Sequence, residues 1–460
     1  MERPVAPLQG EVSWKAAKEN PENPSDVTLN TEFPDRQWWV QFSDEHLTRY
    51  IDQALSENHQ LQIAQARITE ARASTRSAIS RLFPTIQFGP SFIRQKTSAN
   101  QFPTFGGGGV SSFGSFVLKP FNIWTVPLQA TYEADFLLKN WDNVRATRRQ
   151  AEAIELDYKT AMIALITDVS STYFNLMASD KLIQLQKDYV DYSELDLEAE
   201  KARQSEGLAS QEAVVIKEGI LADARAALQD YYRLQAIYEN QMAILIARPP
   251  ELAQDLPRSD LDRFEVPGAV NAGVPSELIT RRPDVVSAEK MLESSRINVL
   301  IARKNFLPTF NLTGSYGYAS TQLNTLFDKD SKTWSYSATG IQGLFEGGAK
   351  VAGLKASKAR YQQQLHQYQQ VILNSLLEVD NAISSLKTHK NAYKEYQATN
   401  ASLEQQLGFQ QARLEEGVVA ASDLYPTQIQ IVQSQQGLVQ AKLLGLVDSL
   451  ELYKALGGGF

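Results

Sequence analysis

The stretch "FLPTFNLTGSYGY", Phe306 to Tyr318, decides the fold. Past Pro308 it alternates: Phe310, Leu312, Gly314, Tyr316 and Tyr318 share one face, while Thr309, Asn311, Thr313, Ser315 and Gly317 share the other. Strict period-two alternation marks a strand whose two faces meet different surroundings. Upstream, "LFPTIQFGPSF", Leu82 to Phe92, is a near echo in which Pro84 stands where Pro308 does. A helical pattern precedes each copy, so the chain makes the same passage from helix to strand twice.

Read outward from these strands, the chain divides into an extended, Pro- and Asn-rich segment over 1–43 and two halves with the same element order. Such agreement of order and breakers, with few identities, is the sign of a structural repeat. The first half, 44–270, shows helical signal from Asp44 to Leu82, strands near 85–97 and 121–136, a long helical hairpin over 143–247 and a linker opened by "RPPELAQDLP". The second, 271–460, shows a helix over 283–305, strands near 308–320 and 333–345, and a hairpin over 350–456. In "WTVPLQATYEAD", Trp124, Val126, Leu128, Ala130, Tyr132 and Ala134 oppose Thr125, Gln129, Thr131, Glu133 and Asp135. The "GGGG" at Gly106 to Gly109 lies between the first two strands and reads as a loop.

The hairpins carry a heptad seam. Met162, Ile166, Val169, Tyr173, Leu176, Asp180 and Ile183 step by four and three, as do Leu221, Ala224, Leu228, Tyr231, Gln235, Tyr238, Met242 and Leu245. This spacing is that of a coiled coil. The strands argue against a plain solvated rod, because their apolar faces carry Phe88, Phe92, Trp124, Tyr132, Tyr316, Tyr318, Trp334 and Tyr336. Four strands cannot close a barrel, since the smallest membrane barrels use about eight. Two readings remain open on the residues alone: several chains contribute strands to one membrane barrel, or a soluble coiled-coil scaffold carries a small β cap. Detergent dependence separates them.

Composition removes other classes. The 460-residue chain is 43% hydrophobic and 21% charged, with a formal charge of −8 and no sustained Lys/Arg run, so nucleic acid is not an expected partner. There is no cysteine, hence no disulfide or thiolate chemistry in this sequence. Its longest fully apolar run is about the length of "AMIALI", Ala161 to Ile166, far short of the roughly 20 residues a spanning helix needs. Membrane strands would leave no such run. No catalytic constellation is present: His46, His59, His366 and His389 have no metal-protease spacing, and "GGGG" opens no helix that could hold a phosphate. The expectation is a protein that is not an enzyme and has no cofactor or metal.

Several segments carry a family resemblance. "WWVQFSDEHLTRYIDQALSENHQLQIAQARITEARA" (Trp38 to Ala73), "VPSELITRRPDVVSAE" (Val274 to Glu289), "LFEGGAK" (Leu344 to Lys350) and "LYKALGGGF" (Leu452 to Phe460) resemble, in order, motifs of the TolC-type outer-membrane factors, in the lipoprotein branch that serves resistance-nodulation-division efflux pumps. The resemblance implies a homotrimer with a 12-stranded outer-membrane β-barrel, four strands per chain, continued by a long periplasmic α-helical barrel. It implies a passive exit duct that works with a periplasmic adaptor protein and an inner-membrane transporter, surrounded by outer-membrane lipid. It further implies a lipid-bearing cysteine just upstream of a segment like "ERP", Glu2 to Pro4; here Met1 stands in that region, and the expectation is that the sequence begins within the mature chain.

Where the long helices turn back, Gly207 and Gly417 supply permissive backbone, and Ser210 and Ser422 are candidate N-caps. The resemblance makes these turns the periplasmic tip, the place of adaptor docking and closure. It puts Asp423 at an acidic gate position, the alternative being a plain first-turn carboxylate favoured by the helix dipole, with Glu415 and Glu416 as further gate candidates. The chain departs from the family's lock at Leu414, Pro426 and Ile429, so that lock does not carry over intact.

Overall fold

The computed structural model describes residues 14, 28–30, 37–96, 120–251, 256–271 and 275–459; Glu2 to Pro4 and the Gly106 to Gly109 loop lie outside them. Strands are β1 (Thr28–Asn30), β2 (Thr85–Phe88), β3 (Ser91–Gln95), β4 (Phe121–Ala134), β5 (Ala269–Asn271), β6 (Thr309–Ser320) and β7 (Lys332–Ile341). Helices are α1 (Glu45–Glu57), α2 (His59–Ser80), α3 (Lys139–Ser205), α4 (Gln211–Leu245), α5 (Pro275–Arg281), α6 (Pro283–Lys304), α7 (Ala349–Glu415) and α8 (Tyr425–Ala455).

The helix expected without interruption from Asp44 to Leu82 is two helices. Asn58 takes extended backbone between them, and its side chain explains the break. Its Oδ1 accepts from the N–H groups of Gln60 and Leu61 at 2.9 and 3.2 Å, starting α2, while its Nδ2 donates to Leu245 O at 2.9 Å, capping the last turn of α4. Arg282 does the corresponding work in the second half, between α5 and α6. Its guanidinium donates to Ala455 O at 2.7 Å at the end of α8, and pairs with Asp284 and Glu378, each at 2.7 Å. Helix ends leave carbonyls without intrahelical partners; here a polar residue at the start of another helix supplies the donor.

All four long-helix ends close alike. The N–H of Leu208 reaches Arg203 O at 2.8 Å, Arg248 reaches Ala243 O at 2.8 Å, Val418 reaches Arg413 O at 2.9 Å and Gly458 reaches Tyr453 O at 2.9 Å. This six-to-one bond defines the Schellman motif, which needs a left-handed residue just before the donor. Gly207 (φ 76°), Gly417 (φ 73°) and Gly457 (φ 87°) provide it without strain; in α4 the position is Ala247 at φ 56°.

By its contacts the chain forms two compact units, each drawing on both halves of the sequence. One comprises 1–69, 152–290 and 366–460, the other 70–151 and 291–365. The core of the first is aromatic and close-packed: Trp38 stacks on Tyr453 at 4.9 Å, and Phe174 meets Phe42 and Phe264 edge-on at 5.2 and 5.3 Å. The seam residues Ile166, Val169, Tyr173 and Leu176 are buried within it. A short parallel pair, β1 with β5, which the sequence did not announce, ties the first segment to the linker. Arg258 fixes that linker through Asp180 on α3 and Glu239 on α4, at 2.5 and 3.3 Å.

The second unit holds the antiparallel sheet, in the spatial order β2, β4, β6, β7, with β3 also on β4. The first strand, expected as one segment near 85–97, is thus split, yet β2 and β3 keep a single register on β4, with Phe88 opposite Leu128 and Ser91 opposite Thr125. Two prolines explain the gap: continuing that register puts Pro90 opposite Val126 and Gly89 opposite Pro127, and neither proline has an N–H to give. Gly317 pairs with Pro127 on the other side, where a Cβ would come within 2.2 Å of Val126 O; only glycine fits there.

Candidate functional site

Cross-strand register settles which side chains share a face. Leu128 pairs with Phe88 and Tyr316, Tyr316 with Trp334, Gly314 with Tyr336, Trp124 with Phe92, Val126 with Tyr318, and Tyr132 with Leu312. The aromatic residues singled out in the sequence, Phe88, Phe92, Trp124, Tyr132, Tyr316, Tyr318, Trp334 and Tyr336, therefore lie on one face of one sheet. They are not a soluble core: Trp334 and Tyr336 are 70% and 81% exposed and stack on each other in the open.

The opposite face is polar. Thr131, Gln129 and Thr125 of β4 line up with Thr85, Gln87 and Ser91 on one side and with Thr313, Ser315 and Ala319 on the other. Hydroxyls bridge the strands, Ser91 to Thr125 at 2.7 Å and Thr313 to Ser337 at 2.6 Å. Ile93 and Ile123, a cross-strand pair toward the loop end, are exceptions to this polarity. Among the described residues neither margin of the sheet is paired, β2 and β3 on one side and β7 on the other. Each unsatisfied backbone group costs several kcal/mol in a bilayer core, so this sheet can enter lipid only if further strands close it.

The long hairpins turn as the glycines required. Ser210 is the N-cap of α4, its side chain accepting from Ala213 N at 3.1 Å. Ser422 is not the N-cap expected. It lies inside a 3-10 turn, Ala421–Leu424, that precedes α8, and Asp423 closes that turn, its carboxylate accepting from Ala420 N at 3.0 Å. No side chain caps α8 itself, because the 3-10 turn runs through Leu424 straight into it. Pro426 falls in the first turn of α8, where its missing N–H costs little. Asp423, Glu415 and Glu416 are all exposed, as are Leu208 and Val418, which follow the two glycines.

Polar contacts hold the first hairpin together and tie α8 to it. Ion pairs join α3 to α4: Asp196 to Lys217 at 2.5 Å, Lys201 to Glu218 at 2.9 Å, and Glu194 to Arg225. Contacts from α8 to α3 use amides, Gln436 to Gln186 at 2.7 Å and Gln433 to Tyr189 at 3.3 Å. Sequence reading missed these glutamines, and it missed Asn58 and Arg282; only the "TRRPD" run within a recognised motif signalled the last. No helix among the described residues is long and apolar enough to cross a membrane, and no group of acidic or histidine side chains there could hold a metal ion.

A sheet with one exposed aromatic face, one polar face and, among the described residues, two unpaired margins is built as part of a membrane barrel is built. A sequence profile described as "Outer membrane efflux protein" matches residues 50–248 and 274–458. The chain belongs to that family, whose members reside in the outer membrane. It is 27% identical over 463 residues to outer membrane protein OprJ of Pseudomonas aeruginosa, covering 100% of this chain and 92% of that one. It is 28% identical over 432 residues to the probable efflux pump outer membrane protein TtgC of Pseudomonas putida, covering 92% and 85% respectively. Among solved structures, the CmeC outer membrane channel of Campylobacter jejuni superposes with a TM-score of 0.85 at 22% identity, over 100% of this chain and 94% of that one, and so shares the fold.

Proposed function

We propose that this protein is a passive exit duct of a tripartite efflux pump, with three copies closing a barrel in the outer membrane. The observation that carries the proposal is the open-edged sheet with an aromatic face and a hydroxyl-lined face. Three copies give twelve strand positions, above the minimum of about eight, and place the polar face around a lumen. The hairpin turns, with Leu208 and Val418 exposed beside their glycines, form the surface for a periplasmic adaptor coupled to a resistance-nodulation-division transporter. Energy comes from that transporter.

In this reading the turns also close the duct, and Asp423 from each copy rings the axis, with Glu415 and Glu416 behind it. Ala420 N–H donates to the Asp423 carboxylate and holds it at the turn that precedes α8. A ring of carboxylates favours cations. The first test is mass by light scattering corrected for bound detergent, followed by conductance in a planar bilayer. A detergent-requiring trimer that conducts, with cation selectivity reduced by Asp423→Ala, is the expected result; a monomer soluble without detergent refutes the duct.

A further inference from the structure

All four helix connections leave the sheet at one end: α2 leads into β2, β4 into α3, α6 into β6 and β7 into α7. The strand-to-strand connections therefore lie at the other end. Toward the loop end the apolar face carries Phe92, Trp124, Tyr318 and Trp334, with the Phe92 and Trp124 rings 4.2 Å apart and Phe327 edge-on to Tyr318 at 5.4 Å. Toward the helix end it carries Tyr132 and Phe310, with Phe136 edge-on to Phe310 at 5.8 Å. Between them lie aliphatic residues such as Leu128, Ala130 and Leu312, with Phe88, Tyr316 and Tyr336 among them.

From Trp124 to Tyr132 the chain rises about 27 Å along the strand, or about 21 Å across the bilayer at a tilt of about 40°. That matches the apolar band between aromatic girdles in membrane barrels, about 25 Å tall. Two cations stand at the outer margin of this band. Arg94 lies two residues beyond Phe92, and Lys332 two residues before Trp334 and level with Tyr318, both on the aromatic face. Two residues are about 7 Å of strand, which brings a long cationic side chain to headgroup level. Both are exposed, and neither makes an ion pair or a side-chain hydrogen bond among the described residues. A charge needed only for solubility belongs in the loops or on the lumen side; these two point toward lipid.

We propose that Arg94 and Lys332 bind the phosphate groups of an anionic lipid in the outer leaflet. They sit on β3 and β7, the two open margins, so closing the barrel brings Arg94 of one copy and Lys332 of the next onto neighbouring strands. Each seam between copies then carries a lipid bridging two protomers. This inference rests on the duct reading given above.

The test uses the purified protein in zwitterionic detergent, with lipid A as the probe and bound lipid counted by native mass spectrometry. Mass without lipid comes first: a species that is not a detergent-requiring trimer removes the duct reading before lipid is added. With the trimer in hand, Arg94→Gln and Lys332→Gln should each weaken lipid A binding about fivefold, and the double variant by about 25-fold. Arg94→Lys should bind like the unaltered protein. Fully dephosphorylated lipid A should bind no better than the double variant manages. Equal binding of lipid A by the double variant overturns the proposal, as does equal binding of the dephosphorylated lipid. Displacement by millimolar inorganic phosphate also overturns it, by assigning a free-phosphate site instead.

Discussion

Replacing Arg282 should open the end of α8, and the structure says by how much. The side chain is 8% exposed and serves three acceptors: Ala455 O, Asp284 and Glu378. Glu378 is 54% exposed, so water replaces the guanidinium there and the lost pair contributes little. Asp284 is 30% exposed and recovers part of its solvation. Ala455 O has no such recourse: it lies against buried Leu452, Tyr453 and Leu456, and an orphaned buried acceptor costs about 1–3 kcal/mol. Together Arg282→Ala should cost about 3 kcal/mol, and Glu378→Gln less than about 1 kcal/mol. Arg282→Lys should fall between, because a single ammonium cannot span three acceptors. Hydrogen exchange followed by mass spectrometry over 450–458 reads this locally: about 3 kcal/mol corresponds to roughly a hundredfold rise in the opening constant. Equal effects of Glu378→Gln and Arg282→Ala would refute the argument, by showing that the ion pair and not the helix-end bond holds the junction.

Four further outcomes follow from the same geometry. Ala247→Gly should stabilise the end of α4 by roughly 0.5–1 kcal/mol in thermal unfolding, since alanine at φ 56° bears a left-handed penalty that glycine does not. Ser210→Ala should speed exchange at the start of α4 by the worth of a cap, about 1 kcal/mol, whereas Ser422→Ala should change the start of α8 by less than about 0.5 kcal/mol because the Ser422 hydroxyl does not cap it. Gly437→Ala puts a Cβ within 2.4 Å of the Tyr396 ring and should cost about 1–3 kcal/mol, largely recovered in the double variant with Tyr396→Ala. Lys442 is buried on α8, and burial pushes its ammonium below the ordinary value of 10.5, with Asp262 at 3.9 Å only partly opposing. A lysine depressed in the folded state costs stability while charged in both states, and that cost fades as pH rises through its lowered value toward 10.5. Lys442→Met should therefore stabilise most at neutral pH, the gain shrinking in melts taken at increasing alkalinity.

Much of the fold was legible because its signals are local. Alternation in "TFNLTGSYGY" needs no partner to be read, and the structure has β6 over Thr309–Ser320. Gly207 and Gly417 announced the reversals because few residues but glycine take φ above 70° without strain. The split of the first strand was less legible: Pro90 is visible in sequence, but Pro127 acts on it only through the register of β4. Ser422 misled for a similar reason, since a serine ahead of a helix caps it only where the backbone leaves the helical region, and here a 3-10 turn that includes Ser422 runs straight into α8.

By itself the sequence determined periodicity, breakers, the aromatic and polar faces of each strand, and the absence of any apolar helix long enough to span a membrane. These depend on residues within a few positions of one another. Tertiary structure decided what depends on distance: that the separate apolar faces merge into one, that both margins of the sheet are unpaired among the described residues, and that Asn58 and Arg282 reach helices ending 187 and 173 residues away along the chain. A hydrogen bond between the start of one helix and the end of another leaves no period in the sequence, because its two groups meet only after folding has brought the helix ends together.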